Sequence, residues 1–394
     1  MPRTVTLALL DDDGAPLGAL PPVEVEVPWW QETASVIAAV QERFGVEVAV
    51  LRLLHAPELF PGGEVTYLAQ TGPLSAGELP ATRAIDVDLN DHPLRPDYAK
   101  PGGPDRSLDW AAEQLHELEF GPIGAATQMR TWNLSAIWRL EAAAGTVWLK
   151  QVPAFFAHEP VVLRWLAAEG FGLSVPIQLA TDGSRMLLAD LPGVDLYAAG
   201  LGVRASIAAT HHHVQVEAAA QATRLIGLGV PDLRGPRLTE VVTRVTQWYA
   251  ESDPALDALV AGLPDRWAAI DACGLPDTLV HGDLHPGNAR GDEVHQAVLD
   301  WGDSFVGHPG FDILRLTERV SEPEGAALIE AWAARWQHAV PGCDPVKAID
   351  LLRPVAALRN AATYARFLAN IEPSEHPYHA GDVPFWLHQA ALAA

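Results

Sequence analysis

The stretch His281–Asn288 constrains this chain more than any other, because it places an aspartate and an asparagine on one short loop. Its sequence is His-Gly-Asp-Leu-His-Pro-Gly-Asn, and the Pro-Gly pair favours a turn that brings Asn288 back toward Asp283. An apolar run at 297–299 then predicts a short buried strand that ends at Asp300. The chain is therefore predicted to fold so that a loop and a strand end present these polar side chains together.

These side chains suit the transfer of a phosphoryl group from a nucleotide. Such a reaction requires a carboxylate beside the acceptor hydroxyl and magnesium against the nucleotide phosphates. Asp283 fits the first role, and Asn288 with Asp300 fits the second, since magnesium prefers one or two carboxylates plus phosphate oxygens and water. The interval from Asp283 to Asn288 also matches the catalytic loop of protein kinases. An ordinary capped loop is the alternative interpretation of this stretch.

Three motifs resemble those of the aminoglycoside phosphotransferase (choline-kinase-like) family. They are H-G-D-L-H-P-G-N at 281–288, L-D-W-G-D at 299–303 and G-H-P-G-F-D at 307–312. The resemblance implies an α+β chain with a protein-kinase-like bilobal fold, in which a β-rich N-lobe precedes a helical C-lobe. It also implies ATP and Mg²⁺ as cofactors, Asp283 as the catalytic base with His281 buttressing its loop, and Asn288 and Asp300 as metal ligands.

The same resemblance assigns nucleotide binding to the segment before these motifs. Strand-like runs at 131–140 and 146–150 predict a hairpin that turns across 143–145. Lys150 stands where a strand lysine should meet the ATP phosphates, and a solvated lysine is the alternative. Its acidic partner would be Glu159, at the start of a predicted helix with an apolar stripe.

The loop that would cover the phosphates contains no glycine, unlike that of protein kinases. Asn133 and Ser135, with nearby backbone amides, are expected to donate hydrogen bonds to phosphate oxygens instead. Residues 186–193 look like the hinge of the family. There the backbone groups from Ala189 to Leu191 would pair with the adenine edge.

Residues 5–87 alternate apolar and polar side chains in strand-like runs around one predicted helix, 33–44, which ends at Gly45. This pattern predicts a small α+β domain. The helix and the residues after it faintly resemble the Nudix family, but only Glu42 survives among that family's acidic positions. We therefore expect a degenerate Nudix-like module that serves packing, dimerisation or capping.

The predicted domains follow from these patterns and from a stretch rich in proline and glycine. They are a small α+β domain at 1–90, a linker at 91–106, a kinase-like N-lobe at 107–190 and a helical C-lobe with the catalytic loop at 191–394. One long helix, 208–228, is predicted to contain three consecutive histidines, His211 among them. Because neighbouring residues splay by about 100° around a helix, these histidines are interpreted as structural or solvated rather than metal-binding.

The net charge of −24 argues against a nucleic-acid partner, because phosphate binding calls for a basic face that this chain does not show. An acidic cleft would attract a cationic acceptor such as an amino sugar. Glu372 or Asp382, in a polar loop near the C-terminus, is available for such a group. A solubility role for the charge and a bracing role for the loop are the alternatives.

No segment approaches the roughly eighteen uninterrupted apolar residues of a membrane helix. The two cysteines show neither disulfide nor metal-ligand spacing. We therefore expect a cytoplasmic protein with no membrane partner.

The sequence predicts an ATP-dependent phosphotransferase that moves the γ-phosphate to a hydroxyl of a small molecule, such as an aminoglycoside, an amino sugar or a similar metabolite. Two alternatives remain open. The glycine-free loop would suit a pseudokinase that binds a nucleotide or metabolite without catalysis, and a Nudix-type hydrolase would place the chemistry in the N-terminal domain.

Overall fold

The computed structural model describes residues 2–57, 61–72, 82–249, 253–292 and 294–394. The chain divides into two compact units. The first consists of Met1–Phe155, Leu179–Asp190 and Arg366–Gly381, and the second of Phe156–Gln178, Leu191–Ala365 and Asp382–Ala394. Both contain helices and strands, so the chain has the α+β class that the sequence predicts.

The N-terminal part of the first unit is a five-stranded sheet with one helix. Its elements are β1 (Arg3–Leu10), β2 (Pro16–Ala19), β3 (Val23–Val25), α1 (Ala34–Phe44), β4 (Val48–His55) and β5 (Gly63–Thr71). The strand order is β2-β1-β5-β4, with β3 also paired to β1. Helix α1 ends at Gly45, which is left-handed at φ 70°, as predicted. Val36 and Val40 of this helix share a buried core with Val5 and Leu9 of β1.

A second five-stranded sheet follows in the same unit. Its elements are α2 (Gly103–Glu117), β6 (Ile123–Trp132), β7 (Ser135–Ala142), β8 (Gly145–Gln151), β9 (Gln178–Thr181) and β10 (Arg185–Ala189), in the strand order β6-β7-β8-β10-β9. The predicted hairpin between β7 and β8 is confirmed. Ala111 and Leu115 of α2 pack on the apolar face of this sheet, where they contact the core that includes Leu140 and Leu149.

The strand-like run predicted over 131–140 is wrong as a single strand, since the chain reverses inside it at the loop that contains Asn133. The chain reverses at Asn133 and Leu134, where Trp132 and Ser135 pair across a two-residue turn. Alternation of apolar and polar residues continues through both strands, so periodicity alone does not reveal the reversal. Asparagine favours such turns because its side chain hydrogen-bonds locally and tolerates unusual backbone angles.

The two sheets of the first unit are joined by backbone and side-chain hydrogen bonds. The N–H of Thr33 donates to the carbonyl of Met129 at 3.1 Å. The Gln128 side chain accepts from the N–H of Val50 and donates to its carbonyl, both at 2.8 Å. These contacts fasten β6 to the N-terminal sheet. The domain boundaries predicted near 90, 106 and 190 stay predictions.

The second unit is mostly helical. Its helices are α3 (Glu159–Ala168), α4 (Leu201–Ala219), α5 (Ala222–Gly227), α6 (Gly235–Tyr249), α7 (Pro254–Ala261), α8 (Leu263–Asp271), α9 (Gly310–Leu316), α10 (Glu322–Ala339), α11 (Pro345–Ala369) and α12 (Asp382–Leu392). Its short strands are β11 (Val194–Asp195), β12 (Thr278–Val280), β13 (Ala289–Gly291), β14 (Gln296–Val298) and β15 (Phe305–Gly307).

The predicted helix over 208–228 is two helices, because α4 ends at Ala219 and α5 begins at Ala222. His211 and His212, on α4, are buried, which places them in the core rather than in solvent. Among the helices that the structure describes, none is long and apolar enough to cross a membrane.

Candidate active site

Two short antiparallel strand pairs in the second unit carry the candidate site. Thr278 of β12 pairs with Gly307 of β15, and Ala289 of β13 pairs with Val298 of β14. The loop 281–288 connects β12 to β13, and Asp300 follows β14 closely. Strands β12, β14 and β15 are buried along their whole length. Packing therefore fixes the backbone at the ends of β12 and β14, from which the polar residues of the site follow.

Gly282 allows the loop to pass close to the turn at 301–303. Its φ is 86°, and a Cβ there would lie 2.2 Å from the carbonyl oxygen of Asp303, closer than any real side chain approaches. Arg359 reinforces this approach, because its Nη1 donates to the carbonyl of Gly282 at 2.7 Å and its Nη2 to that of Asp303 at 3.3 Å. The two polypeptide segments are thus fixed side by side.

His281 braces the loop from inside. Its Nε2 lies 2.9 Å from the carbonyl oxygen of Leu299, and its Nδ1 accepts from the N–H of Asp283 at 3.2 Å. These contacts require a neutral imidazole with its proton on Nε2. Burial lowers the pKa of His281 to about 4, which favours the same neutral form. The buttressing role that the family resemblance implies for His281 stays a prediction, and these hydrogen bonds support it.

Asp312, in the first turn of α9, organises the start of the loop. Its carboxylate accepts from the N–H groups of His281 and Gly282, each at 2.9 Å, and from Nε2 of His211 at 2.6 Å. Burial acts to raise the pKa of Asp312, but His211 and the N–H of His281 outweigh it, and the pKa falls below its usual value. The histidine run therefore serves a structural role through His211.

Asn288 ties the two ends of the loop together. Its Nδ2 donates to both the carbonyl oxygen and Oδ2 of Asp283, each at 3.0 Å. The N–H of Leu299 donates to the carbonyl of Asn288 at 2.8 Å, which sets the next residue, Asp300, beside the loop. Asp300 itself has φ 62° and ψ 65°, a left-handed conformation that is uncommon outside glycine and clusters at functional sites.

Arg315 is a site residue that sequence reasoning missed. Its Nε donates to Oδ1 of Asp283 at 2.6 Å, and its Nη1 also pairs with Glu318. His285 lies on the other side, with Nε2 3.4 Å from Oδ2 of Asp283. The Asp283 side chain is still 33% exposed. Nothing in the local sequence around Arg315 signals this pair, since the two residues lie on separate elements.

The remaining predicted site residues of the second unit are Glu159 and Leu191. Glu159 lies in the first turn of α3, is 1% exposed, and accepts from the N–H of Trp301 at 3.1 Å through Oε1. It therefore contacts the residue that follows Asp300. The carbonyl of Leu191 accepts from Nε of Arg290 at 2.9 Å.

The first unit holds the other predicted nucleotide-binding residues. Lys150 lies inside β8 opposite Ile137 and Met186 and is only 7% exposed, so it is not a solvated surface lysine. Ala189 is the last residue of β10. The structure thus embeds both positions in the second sheet.

The turn residues Asn133 and Ser135 are also buried. Asn133 donates to Glu375 at 3.2 Å, and Ser135 Oγ accepts from Nε1 of Trp132 at 3.1 Å. Binding of either side chain to phosphate therefore stays a prediction, and it would compete with these hydrogen bonds.

The oxygen atoms of Asn288 and Asp300 fit a magnesium site. Mg²⁺ prefers hard oxygen donors and needs few from the protein. Because Nδ2 of Asn288 is turned toward Asp283, its amide oxygen is the atom left for a metal. Within the described ranges, no cluster of three or more His, Cys, Asp or Glu side chains forms a denser metal site.

The chain is similar to known phosphotransferases in sequence and in fold. The model of the phosphotransferase enzyme family matches residues 128–349. The macrolide 2′-phosphotransferase MphH from Brachybacterium faecium is 20% identical, with a TM-score of 0.52 over 70% of this chain and 98% of its own. The choline kinase LicA from Streptococcus pneumoniae is 13% identical, with a TM-score of 0.53 over 73% of this chain and 99% of its own. No curated protein sequence matches the chain.

A third solved structure is the GDP and kanamycin complex of APH(2″)-IIia. It is 13% identical, with a TM-score of 0.53 over 72% of this chain and 99% of its own. At such identities the likeness is one of fold, and it confirms the protein-kinase-like fold that the sequence predicts. The Nudix-like interpretation of the N-terminal segment stays a prediction.

Proposed function

This chain belongs to the phosphotransferase enzyme family, and we propose that it transfers the γ-phosphate of ATP to a hydroxyl of a small molecule. The observation that carries the proposal is the double hydrogen bond from Asn288 to Asp283, together with the backbone bond that sets Asp300 beside Asn288. This arrangement combines a carboxylate, an amide and a second carboxylate on one loop and one strand end. Phosphoryl transfer needs this combination for positioning and for charge stabilisation.

Asp283 acts on the acceptor in this proposal. Its Oδ1 and Oδ2 are fixed by Arg315 and Asn288, so the carboxylate holds one orientation while part of it stays exposed to an incoming hydroxyl. The hydroxyl proton passes to the carboxylate as the oxygen bonds to the γ-phosphorus and the bond to the β-phosphate oxygen breaks. ADP and a phosphate monoester are the products.

Asn288 and Asp300 are proposed to hold Mg²⁺ against the phosphates, where the ion would neutralise charge on the transferring group. The residues proposed to bind the nucleotide are Lys150, Glu159, Asn133, Ser135, Ala189 and Leu191. The GDP complex of APH(2″)-IIia makes GTP the alternative donor to test beside ATP.

The acceptor is proposed to be a hydroxylated small molecule with a cationic group. The net charge of −24 favours the approach of cations. The similar structures named above include a kanamycin complex and a choline kinase, and kanamycin carries amino groups while choline carries a quaternary nitrogen.

Incubation with MgATP or MgGTP and a panel of aminoglycosides, macrolides, choline and amino sugars tests the proposal. Phosphorylated acceptor detected by mass spectrometry, with nucleotide diphosphate released in equal amount, is the expected result. Saturable nucleotide binding without transfer to any hydroxyl would favour the pseudokinase instead. The glycine-free turn at Asn133 and Leu134 is the observation that keeps this second candidate in view.

A further inference from the structure

The turn at Asn133 and Leu134 is held by residues from near the end of the chain. The Nδ2 of Asn133 donates to Oε2 of Glu375 at 3.2 Å, and its Oδ1 lies 3.0 Å from Nε2 of His379. Asn133 is 3% exposed, Glu375 3% and His379 4%. Both ends of the Asn133 amide are therefore engaged inside the first unit.

The residues beside the turn are enclosed by the same segment, Glu372–His379, which we call the C-terminal brace. The ring of Trp132 lies 5.5 Å from the ring centres of both Tyr378 and His379. From the other side, the hydroxyl of Tyr98 donates to the carbonyl of Trp132 at 2.9 Å. Aromatic packing and hydrogen bonds thus restrict the backbone on which the turn is built.

The C-terminal brace is itself anchored in the N-terminal sheet. Oε1 of Glu375 accepts from the N–H of Leu53 on β4 at 2.7 Å. Glu372 accepts from Nε and Nη2 of Arg95 at 3.0 and 2.7 Å, in a buried two-point ion pair. The interpretation of Glu372 as a ligand for a cationic acceptor is therefore replaced by the bracing role. Sheet, brace and turn form one connected network.

We propose that Glu375 and His379 are positioning residues for nucleotide binding, which hold the glycine-free turn in one conformation through Asn133. This inference rests on the proposed function, because it assigns the turn between β6 and β7 to the nucleotide phosphates. A glycine-rich loop adapts to phosphates through its freedom of backbone angle, and that freedom is lost on binding. A turn that is ordered beforehand avoids this loss, so rigid positioning substitutes for flexibility.

Asn133 is therefore proposed to position the turn rather than to bind phosphate through its side chain. Its amide is committed to Glu375 and His379, so it acts through the backbone of its turn. The N-terminal sheet also gains a function, because it supplies the anchor of the C-terminal brace through Leu53. Nucleotide affinity is thereby coupled to a segment that lies beyond the residues matched by the family model.

Calorimetric titration with MgATP and MgGTP tests the proposal on the full chain. His379→Ala and Asn133→Ala should each weaken nucleotide binding about tenfold, the effect of losing one buried hydrogen bond. The double variant should bind no more weakly than the worse single variant, because both substitutions remove the same contact. His379→Gln, which retains an N–H donor, should bind within a few fold of wild type.

His376→Ala is the matched control. His376 lies on the same brace, but among the described residues the Asn133 side chain donates to Glu375 and accepts from His379, not from His376. The affinity of His376→Ala for nucleotide should stay within about twofold of that of the wild type. Three outcomes would overturn the positioning role alone. They are an equal loss of nucleotide affinity in His376→Ala and His379→Ala, additive losses in the double variant, and an unchanged affinity in His379→Ala. Absence of nucleotide binding by wild type would overturn the proposed function, and this inference with it.

Discussion

Arg315 and Asp283 form a charge-assisted hydrogen bond, with Nε of the guanidinium 2.6 Å from Oδ1 of the carboxylate. Arg315 lies on α9, whereas Asp283 lies on the loop after β12, so the pair fixes the loop to the helix. Burial acts to raise the pKa of Asp283, but Arg315 and His285 outweigh it and hold the pKa well below the usual range. The proposed base is therefore ionised across the physiological pH range.

Arg315→Gln should shift the acid limb of the pH–rate profile to higher pH. The low pKa of Asp283 keeps its carboxylate ionised as the pH falls. Without the Arg315 guanidinium, the effect of burial is less opposed, and the pKa of Asp283 rises. We expect a displacement of about one pH unit or more in kcat/KM. Arg353→Gln, at a half-exposed side chain on α11, is the control. An unchanged acid limb in Arg315→Gln would contradict this role.

Gly282→Ala should abolish most activity while the protein still folds. The added Cβ would meet the carbonyl oxygen of Asp303 at 2.2 Å, and φ at 86° adds strain. We expect a loss of about 1–3 kcal/mol in the free energy of unfolding and a fall in kcat of at least about a hundredfold. Gly342→Ala is matched in backbone angle, at φ 91°, but meets no atom within 4 Å. If both variants lose activity equally, the close approach at Gly282 is not what matters.

Glu375→Gln should remove a pH dependence of stability. Burial raises the pKa of Glu375 to about 7, against the opposing hydrogen bonds from Leu53 and Asn133. The folded state therefore binds the Glu375 proton more tightly than the unfolded state does. This difference adds on the order of 3 kcal/mol to the free energy of unfolding below pH 4.5, and the added stability is lost as the pH rises through 7.

The other charged and titratable groups around Glu375 are Glu372, Arg52, Tyr67, Tyr98 and Tyr378. Chemical denaturation at pH 5 and pH 8 checks the prediction, and the wild type should lose more stability between these values than Glu375→Gln. The same change in both proteins would show that Glu375 does not titrate in this range.

Asp300→Asn should remove the magnesium dependence of nucleotide binding. Asp300 is set beside Asn288 by the backbone bond from Leu299, and an amide replaces the negative oxygen that a hard cation prefers. The rise in melting temperature caused by ATP should depend on magnesium in wild type and not in the variant. Asp350→Asn, at an exposed residue, should behave as wild type. A persistent magnesium effect in Asp300→Asn would move the metal site elsewhere.

Local patterns predicted much of the fold and the turn that brings Asn288 back to Asp283. The αL residue Gly45, the hairpin between β7 and β8 and the loop around Asp283 are each encoded within a few consecutive residues. The loop at Asn133 was predicted from the family resemblance, but periodicity alone gave one strand-like run over 131–140, because the flanking strands continue the same alternation. Local signals are sufficient where a turn or cap needs a particular residue type, and they fail where two patterns merge.

The contacts that sequence could not predict join residues far apart along the chain. His211 meets Asp312 across 101 positions, and Asn133 meets Glu375 across 242. Such pairs depend on how whole elements pack, and a single sequence carries no signal for which buried arginine or glutamate will meet which partner. Arg315 was missed for this reason, although Asp283, its partner, was identified from its own loop.

Single-turnover phosphoryl transfer by Asp283→Asn is the most direct test of the central claim, that Asp283 receives the acceptor proton. The variant keeps the shape of the side chain but not its charge, and MgATP affinity measured beside it should stay within a few fold of wild type. We predict a fall in the transfer rate of at least about a hundredfold. Transfer at the wild-type rate, with nucleotide bound equally well, would contradict the account.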